Sequence, residues 1–194
     1  MALAAMIPTM ACAPLEVGPP ADMPPAMPAM AWDHRPESAE WTEATLAALR
    51  TEGAPLLSEI PDDIGHWCPG YVAAGPDQRA AFWAGLLSAL ARFESTWNPR
   101  AVGGGGQWFG LVQISPRTAQ AYDCGADSGA ELQDGSANLA CAVQIAAETV
   151  ARDGVVAAGG GGIAADWGPF TNDHKRAEMR EWVSTQSYCQ AAPT

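Results

Sequence analysis

Basic residues are scarce. The 194-residue chain holds ten Lys and Arg against 22 Asp and Glu, a net charge of -12. Phosphate binding needs a basic surface, so nucleic acid is excluded as a partner. Nonspecific adhesion to anionic membranes is excluded on the same ground. Histidine is sparse too: His34, His66 and His174 are scattered, and the nearby pair His66 and Cys68 has no second pair at metal-ligand spacing. No metal and no other cofactor is expected. Beyond the first dozen residues no apolar run is long enough to span a bilayer. Convincing alternating strand patterns are missing. Two glycine runs, 103–106 and 159–162, lack the GxxxxGK[ST] pattern and a preceding strand, so they are loops and not phosphate cradles.

What is present is an apolar share of 48%, enough for one folded domain with an appendage. Five cysteines stand in the chain, one of them, Cys12, alone near the start. Cys68, Cys124, Cys141 and Cys189 lie in the part with folded character and show no metal or CxxC pattern, which points to two disulfides and an oxidising compartment. Three pairings are open. Proximity in sequence favours Cys124–Cys141, leaving Cys68–Cys189 to join the ends of the domain.

The opening "MALAAMIPTMAC" is a short apolar run that ends in a small residue before Cys12. It resembles the end of a bacterial lipoprotein signal, in which Cys12 would carry the lipid and anchor the protein to a membrane. Thr9 stands where that signal prefers Leu, and no Lys or Arg precedes the run; a plain secretory signal is the alternative. Residues 1–31 hold seven prolines and six of the seven methionines. The segment 13–37 therefore reads as a disordered or extended Pro/Ala/Met-rich linker. Residues 38–59 hold a helix and its connector, residues 60–189 the main domain, and residues 190–194 a tail.

Helical period governs the main domain. One helix starts near Pro76–Asp77 and ends before Asn98–Pro99. A second opens at Ser115–Pro116, a third runs from Ser136 to a stop at Gly154, and a fourth is capped by Thr171 or Asn172. The class expected is mainly α. In the first helix Trp83, Leu87, Leu90 and Glu94 are spaced by four, three and four, so they share one stripe. Glu94 then points to the core side at the last turn, beside aromatic carbon. Desolvation there raises its pKa, and a carboxylic acid kept protonated near neutral pH suits general-acid cleavage of a glycosidic bond. Pairing with Arg92 or Arg100, or a swing into water, is the plain alternative.

Glu94 opens "ESTWNP", which resembles the E-S-x-x-N-P motif of the lytic transglycosylase SLT domain. Further on, "GLVQISPRTA" is similar to that family's G-L-x-Q-I-x-P-x-T-A, and "NLACAVQIAA" resembles its third motif. The fourth, A-Y-N-A-G-P, is reduced to "AADWGP": Gly168 and Pro169 fit, and the tyrosine is missing, with Asp166 or Trp167 in its place. The resemblance covers roughly residues 78 to 170. It implies a lysozyme-like helical fold and a peptidoglycan substrate, and gives matching positions their roles. Glu94 would be the sole acid and base. Ser95 and Gln113 would hydrogen-bond the sugar or its N-acetyl group. Trp167 would stack on sugar or plug the core, Asp166 would supply a second carboxylate near the cleft, and Trp97 would line the cleft or pack inside. The activity implied is cleavage of the MurNAc–GlcNAc β-1,4 bond to a 1,6-anhydro-MurNAc end. A muramidase-type hydrolase using Asp123, Asp134 or Asp166, and a non-catalytic peptidoglycan-binding lipoprotein, are the alternatives. The chain is expected to be exported to the periplasm and to act as a monomer.

Overall fold

A computed structural model describes residues 27–190. Among the described residues seven α-helices carry the fold: α1 Ser38–Arg50, α2 Ala54–Ser58, α3 Ile64–Trp67, α4 Pro76–Ser95, α5 Pro116–Ala121, α6 Gly135–Asp153 and α7 Asp173–Ser184. Short 3-10 turns join them. Their ends follow local chemistry. Pro76 opens α4 at a position where no amide N–H is needed. Ser115, Asp134 and Asn172 each accept the amide N–H of the residue three positions on, capping α5, α6 and α7. Gly154 ends α6 in the left-handed region.

The core is built round α4, whose residues Ala80 to Ala91 are all buried. The helix α6 packs on α1, α1 and α7 pack on α4, and α7 also covers α3. The two disulfides favoured from the sequence are the ones formed: Cys68–Cys189 closes the domain end to end, and Cys124–Cys141 ties the segment after α5 to α6.

Two boundaries differ from expectation. The sequence sets α1 apart from the main domain, but Trp41 and Leu49 are buried in the same core as α4 and α6. Residues 28–37, expected in the linker, are also packed. Trp32 is fully buried and donates its indole N–H to Thr42 Oγ1, while the Ala31 amide donates to Ser88 Oγ and Tyr188 donates its hydroxyl to the Ala29 carbonyl. A lone tryptophan among prolines and methionines provides enough apolar surface to hold the strap down. The signal-like segment, Cys12 and the rest of the expected disordered linker up to residue 26 lie outside the described residues, as do residues 191–194.

Between α4 and α5 lies one antiparallel hairpin of two-residue strands, β1 Val102–Gly103 and β2 Trp108–Phe109. It is too short to show an alternating pattern. Its turn is the first glycine run, with Gly104, Gly105 and Gly106 all at positive φ, where a side chain is strained.

Candidate active site

Glu94 sits in the last turn of α4. Trp83, Leu87 and Leu90, its partners on the helix stripe, are buried, and Glu94 itself is half-buried where the stripe reaches the surface. Burial pushes its carboxyl up to about 7, opposed by the Lys175 ammonium from the first turn of α7. No other carboxylate contributes to this rise, and the neighbouring hairpin, residues 102–109, carries no acid. The alternative pairing does not occur: Arg92 is bound to Glu178, not to Glu94.

Directly after Glu94 the helix breaks sharply. Thr96 and Trp97 are both left-handed, at φ 53° and 55°, a conformation that costs a residue with a side chain about 1 kcal/mol or more. Trp97 is held there by its indole N–H on the Ser88 carbonyl and by an edge contact with His34 at 4.5 Å. It packs inward toward the N-terminal strap, next to Ala31. This is the core-packing outcome for Trp97.

The second motif forms a tight turn over residues 109–114, and every other motif grips it. Ser95 donates its hydroxyl to the Leu111 carbonyl at 2.7 Å and receives the Asn98 amide. Asn138, fully buried at the start of α6, accepts the Val112 amide and donates to the Phe109 and Leu132 carbonyls. Trp167 donates its indole N–H to the Val112 carbonyl at 2.7 Å. Gly110 is required at the bend: with φ at 81°, a Cβ there would lie 2.1 Å from the Leu132 carbonyl oxygen. The turn delivers Gln113, itself left-handed at φ 52°. Its side-chain amide donates to the Gly110 carbonyl at 2.9 Å and toward the Ala101 carbonyl at 3.4 Å. Its carbonyl oxygen lies over Gly103, where a Cβ would clash at 2.3 Å.

These bonds correct several expectations. Trp167 is 3% exposed, so its ring cannot stack on sugar; it is the core plug. The Ser95 hydroxyl hydrogen is committed to the protein, so Ser95 positions the second motif and is not a free donor to the glycan. Gln113 keeps only its side-chain oxygen for a ligand. Setting the register on Gly168–Pro169 puts Ala165, not Asp166 or Trp167, at the place of the family tyrosine. Asp166 is exposed and accepts the Tyr122 hydroxyl at 3.1 Å. Burial, and then Asp166, push the Tyr122 phenol above its ordinary range. Asp134 is committed to capping α6. Sequence reasoning missed the role of Asn138. A polar asparagine at the head of the apolar helix segment "NLACAVQIAA" is the signal for it.

Among the described residues no group of three or more His, Cys, Asp or Glu side chains is placed to hold a metal ion. What the arrangement offers is a carboxylic acid held partly protonated near neutral pH at the end of a long helix, and a separate turn that fixes the Gln113 amide. That is the equipment for proton transfer to a leaving oxygen.

Three solved structures of the protein named Bd0314 DslA are similar to this chain: a wild-type form and two variants in which a glutamate is replaced by glutamine. Each is 29% identical, has a TM-score of 0.77, and is matched over 100% of its length by 85% of this chain. No curated protein matches. The family model described as the transglycosylase SLT domain matches residues 73–164, a span that takes in Glu94, the pinned turn and Asn138. Over those residues the chain is similar to the transglycosylase SLT domain.

Proposed function

We propose that the chain is a peptidoglycan lytic transglycosylase with Glu94 as its one acid and base. Glu94 protonates the leaving oxygen of the MurNAc–GlcNAc β-1,4 bond. The acetamido oxygen of the substrate, not a protein carboxylate, stabilises the cationic centre, as in substrate-assisted glycosidases. Glu94, now ionised, then takes the proton of the muramyl 6-hydroxyl as that oxygen closes on C1, giving the 1,6-anhydro end. No water is consumed.

The observation that carries this reading is Glu94 itself, held near pKa 7 by burial with no second carboxylate acting on it. An inverting hydrolase needs a partner acid roughly 6.5–9.5 Å away to activate water. The hairpin that follows Glu94 offers glycines and Gln107 instead. The two disulfides support export to an oxidising compartment, and we place the protein in the periplasm, anchored there if Cys12 is lipidated. Digestion of purified sacculi followed by mass spectrometry of the muropeptides tests the mechanism. Anhydro ends are expected. Reducing-end muramic acid would make it a muramidase, and an absence of products would make it a binding protein.

A further inference from the structure

The second glycine run, 159–162, plays no part in the site around Glu94. Its first two residues, with Ala157 and Ala158, form the rim of a separate cavity of about 440 Å³, within the range of small-ligand sites, roughly 300–1,000 Å³. Trp67 and Phe170 supply apolar surface to it, their rings 5.8 Å apart, and His66, Arg176 and Arg180 supply cationic or ionisable groups. Its one acidic residue, Asp63, is already satisfied. That carboxylate accepts the amide N–H groups of Val156, Ala157 and Ala158 and the Trp67 indole N–H. Arg176 is anchored by the Phe170 carbonyl and Asp173. Among the described residues Arg180 and His66 make no salt bridge.

This concentration of cations runs against the rest of the chain. Of ten basic residues in a protein of net charge -12, three fall between positions 175 and 180. Arg176 and Arg180 are four apart on α7 and share the face that borders the cavity. Lys175, the only lysine in the chain, turns the other way, toward α4, with Nζ 5.7 Å from the Phe93 ring centre. The helix α7 also holds Asp173, Glu178 and Glu181, and Asp173 is taken by Arg176 while Glu178 is taken by Arg92 and His174, so the positive charge is local to the cavity face at Arg180. The turn Gly168–Phe170 joins the cavity to the motif segments, because Phe170 lines the cavity and Gly168–Pro169 belong to the fourth motif.

We propose that this cavity is a second binding site that takes a carboxylate of the acidic stem peptide borne by the glycan, with Arg180 and His66 as its recognition groups. The inference rests on the peptidoglycan reading above and names a further part of that substrate. A guanidinium fork matches a carboxylate in shape and charge. The Trp67 and Phe170 surfaces suit the aliphatic portions of the peptide. A peptide with free carboxylates is repelled by most of this acidic surface, so a local cationic pocket selects where it lands.

The test is calorimetric titration of the full chain with three probes: a synthetic stem peptide with free carboxylates, the same peptide fully amidated, and inorganic phosphate. The acidic peptide is expected to bind, with the amidated form at least tenfold weaker and phosphate unable to displace it. Arg180→Ala is expected to weaken the acidic peptide about tenfold, and His66→Ala to weaken it less, with melting temperatures unchanged because both side chains are exposed. Equal binding of the amidated peptide, no effect of Arg180→Ala, or displacement by equimolar phosphate would overturn the proposal. Glycan strands stripped of peptide separate it from the parent reading. If wild type and Arg180→Ala both cut stripped strands to anhydro ends while the acidic peptide fails to bind, only the peptide site is wrong. If no strand of either kind is cut, the transglycosylase reading is wrong.

Discussion

Replacing Glu94 by Gln should abolish cleavage and, at alkaline pH, make the protein more stable. The carboxyl is raised from 4.5 to about 7 by burial. A group whose pKa is raised on folding binds more protons in the native state, so its contribution to stability falls as pH rises from about 4.5 to 7 and stays low above that. A tenfold change in proton affinity is worth about 1.4 kcal/mol, so the rise at Glu94 has an upper bound of about 3 kcal/mol; because Glu94 is partly reached by water, about 1–2 kcal/mol is the reasoned figure. Glutamine has the shape of the protonated acid and no charge to desolvate. The Gln variant should therefore melt close to wild type at about pH 4.5 and roughly 3–6 °C above it at about pH 8. Melting both proteins across that range by circular dichroism measures the difference directly, and pH effects elsewhere cancel in it. A difference that does not change with pH, or a variant less stable than wild type at the alkaline end, would refute the claim that burial dominates at Glu94. Near wild-type digestion of sacculi by the variant would remove Glu94 from the mechanism altogether.

Other outcomes follow from the same geometry. The alkaline limb of kcat/KM should fall near pH 7, where Glu94 loses its proton, and a limb above about pH 9 would contradict this. Asp166→Asn should retain activity within about tenfold, since a lone acid suffices; losing the ~10²–10⁴ typical of a general base, with reducing ends as product, would favour the muramidase. Asn138→Ala leaves the Val112 amide and two carbonyls without their partner, which should cost about 3–5 kcal/mol and lower the melting temperature by roughly 8–15 °C; a drop under about 2 °C would mean that the turn is held by other means. Serine replacement of the Cys68–Cys189 pair, 121 residues apart, should destabilise more than replacement of Cys124–Cys141, 17 apart, by the ratio of ~4–5 to ~3 kcal/mol; equal melting temperatures for the two would show that loop length does not decide the matter.

Where periodicity carries the information, the sequence is legible. The spacing of Trp83, Leu87, Leu90 and Glu94 needs only a helix of ~3.6 residues per turn to put an acid at the edge of the core, and α4 has that geometry. The caps of α5 and α7 and the stop at Gly154 are legible for a similar reason, since each depends on residues within three or four positions. Long-range partners are not legible. Nothing near Trp167 says that its indole will reach the Val112 carbonyl, 55 positions away, so a sugar platform and a core plug look alike. The motif around Ser95 suggests a ligand to glycan, while its bond to Leu111 depends on the path of the chain between them. Composition misleads at residues 28–37, where proline suggests a free tether and one buried tryptophan decides otherwise.

The four motif segments make physical sense as one device rather than four contributions to a cleft. On the proposed mechanism a lone acid gives and then takes a proton, and it needs its surroundings fixed to a fraction of an ångström, because misplacement is costly in rate. Fixing them requires backbone in disfavoured conformations: Thr96, Trp97 and Gln113 are left-handed without being glycine. Such strain persists only where the surroundings over-determine it. Here the surroundings are Ser95 from the first segment, Asn138 from the third and Trp167 from the fourth, all bonded to backbone of the turn that presents Gln113. The altered fourth segment fits this division of labour. It has Ala165 in place of the tyrosine that would contact substrate, yet Trp167 supplies a clamp on the turn. On the proposed mechanism the bond from Trp167 keeps the turn, and with it Gln113, in place although the fourth motif is incomplete.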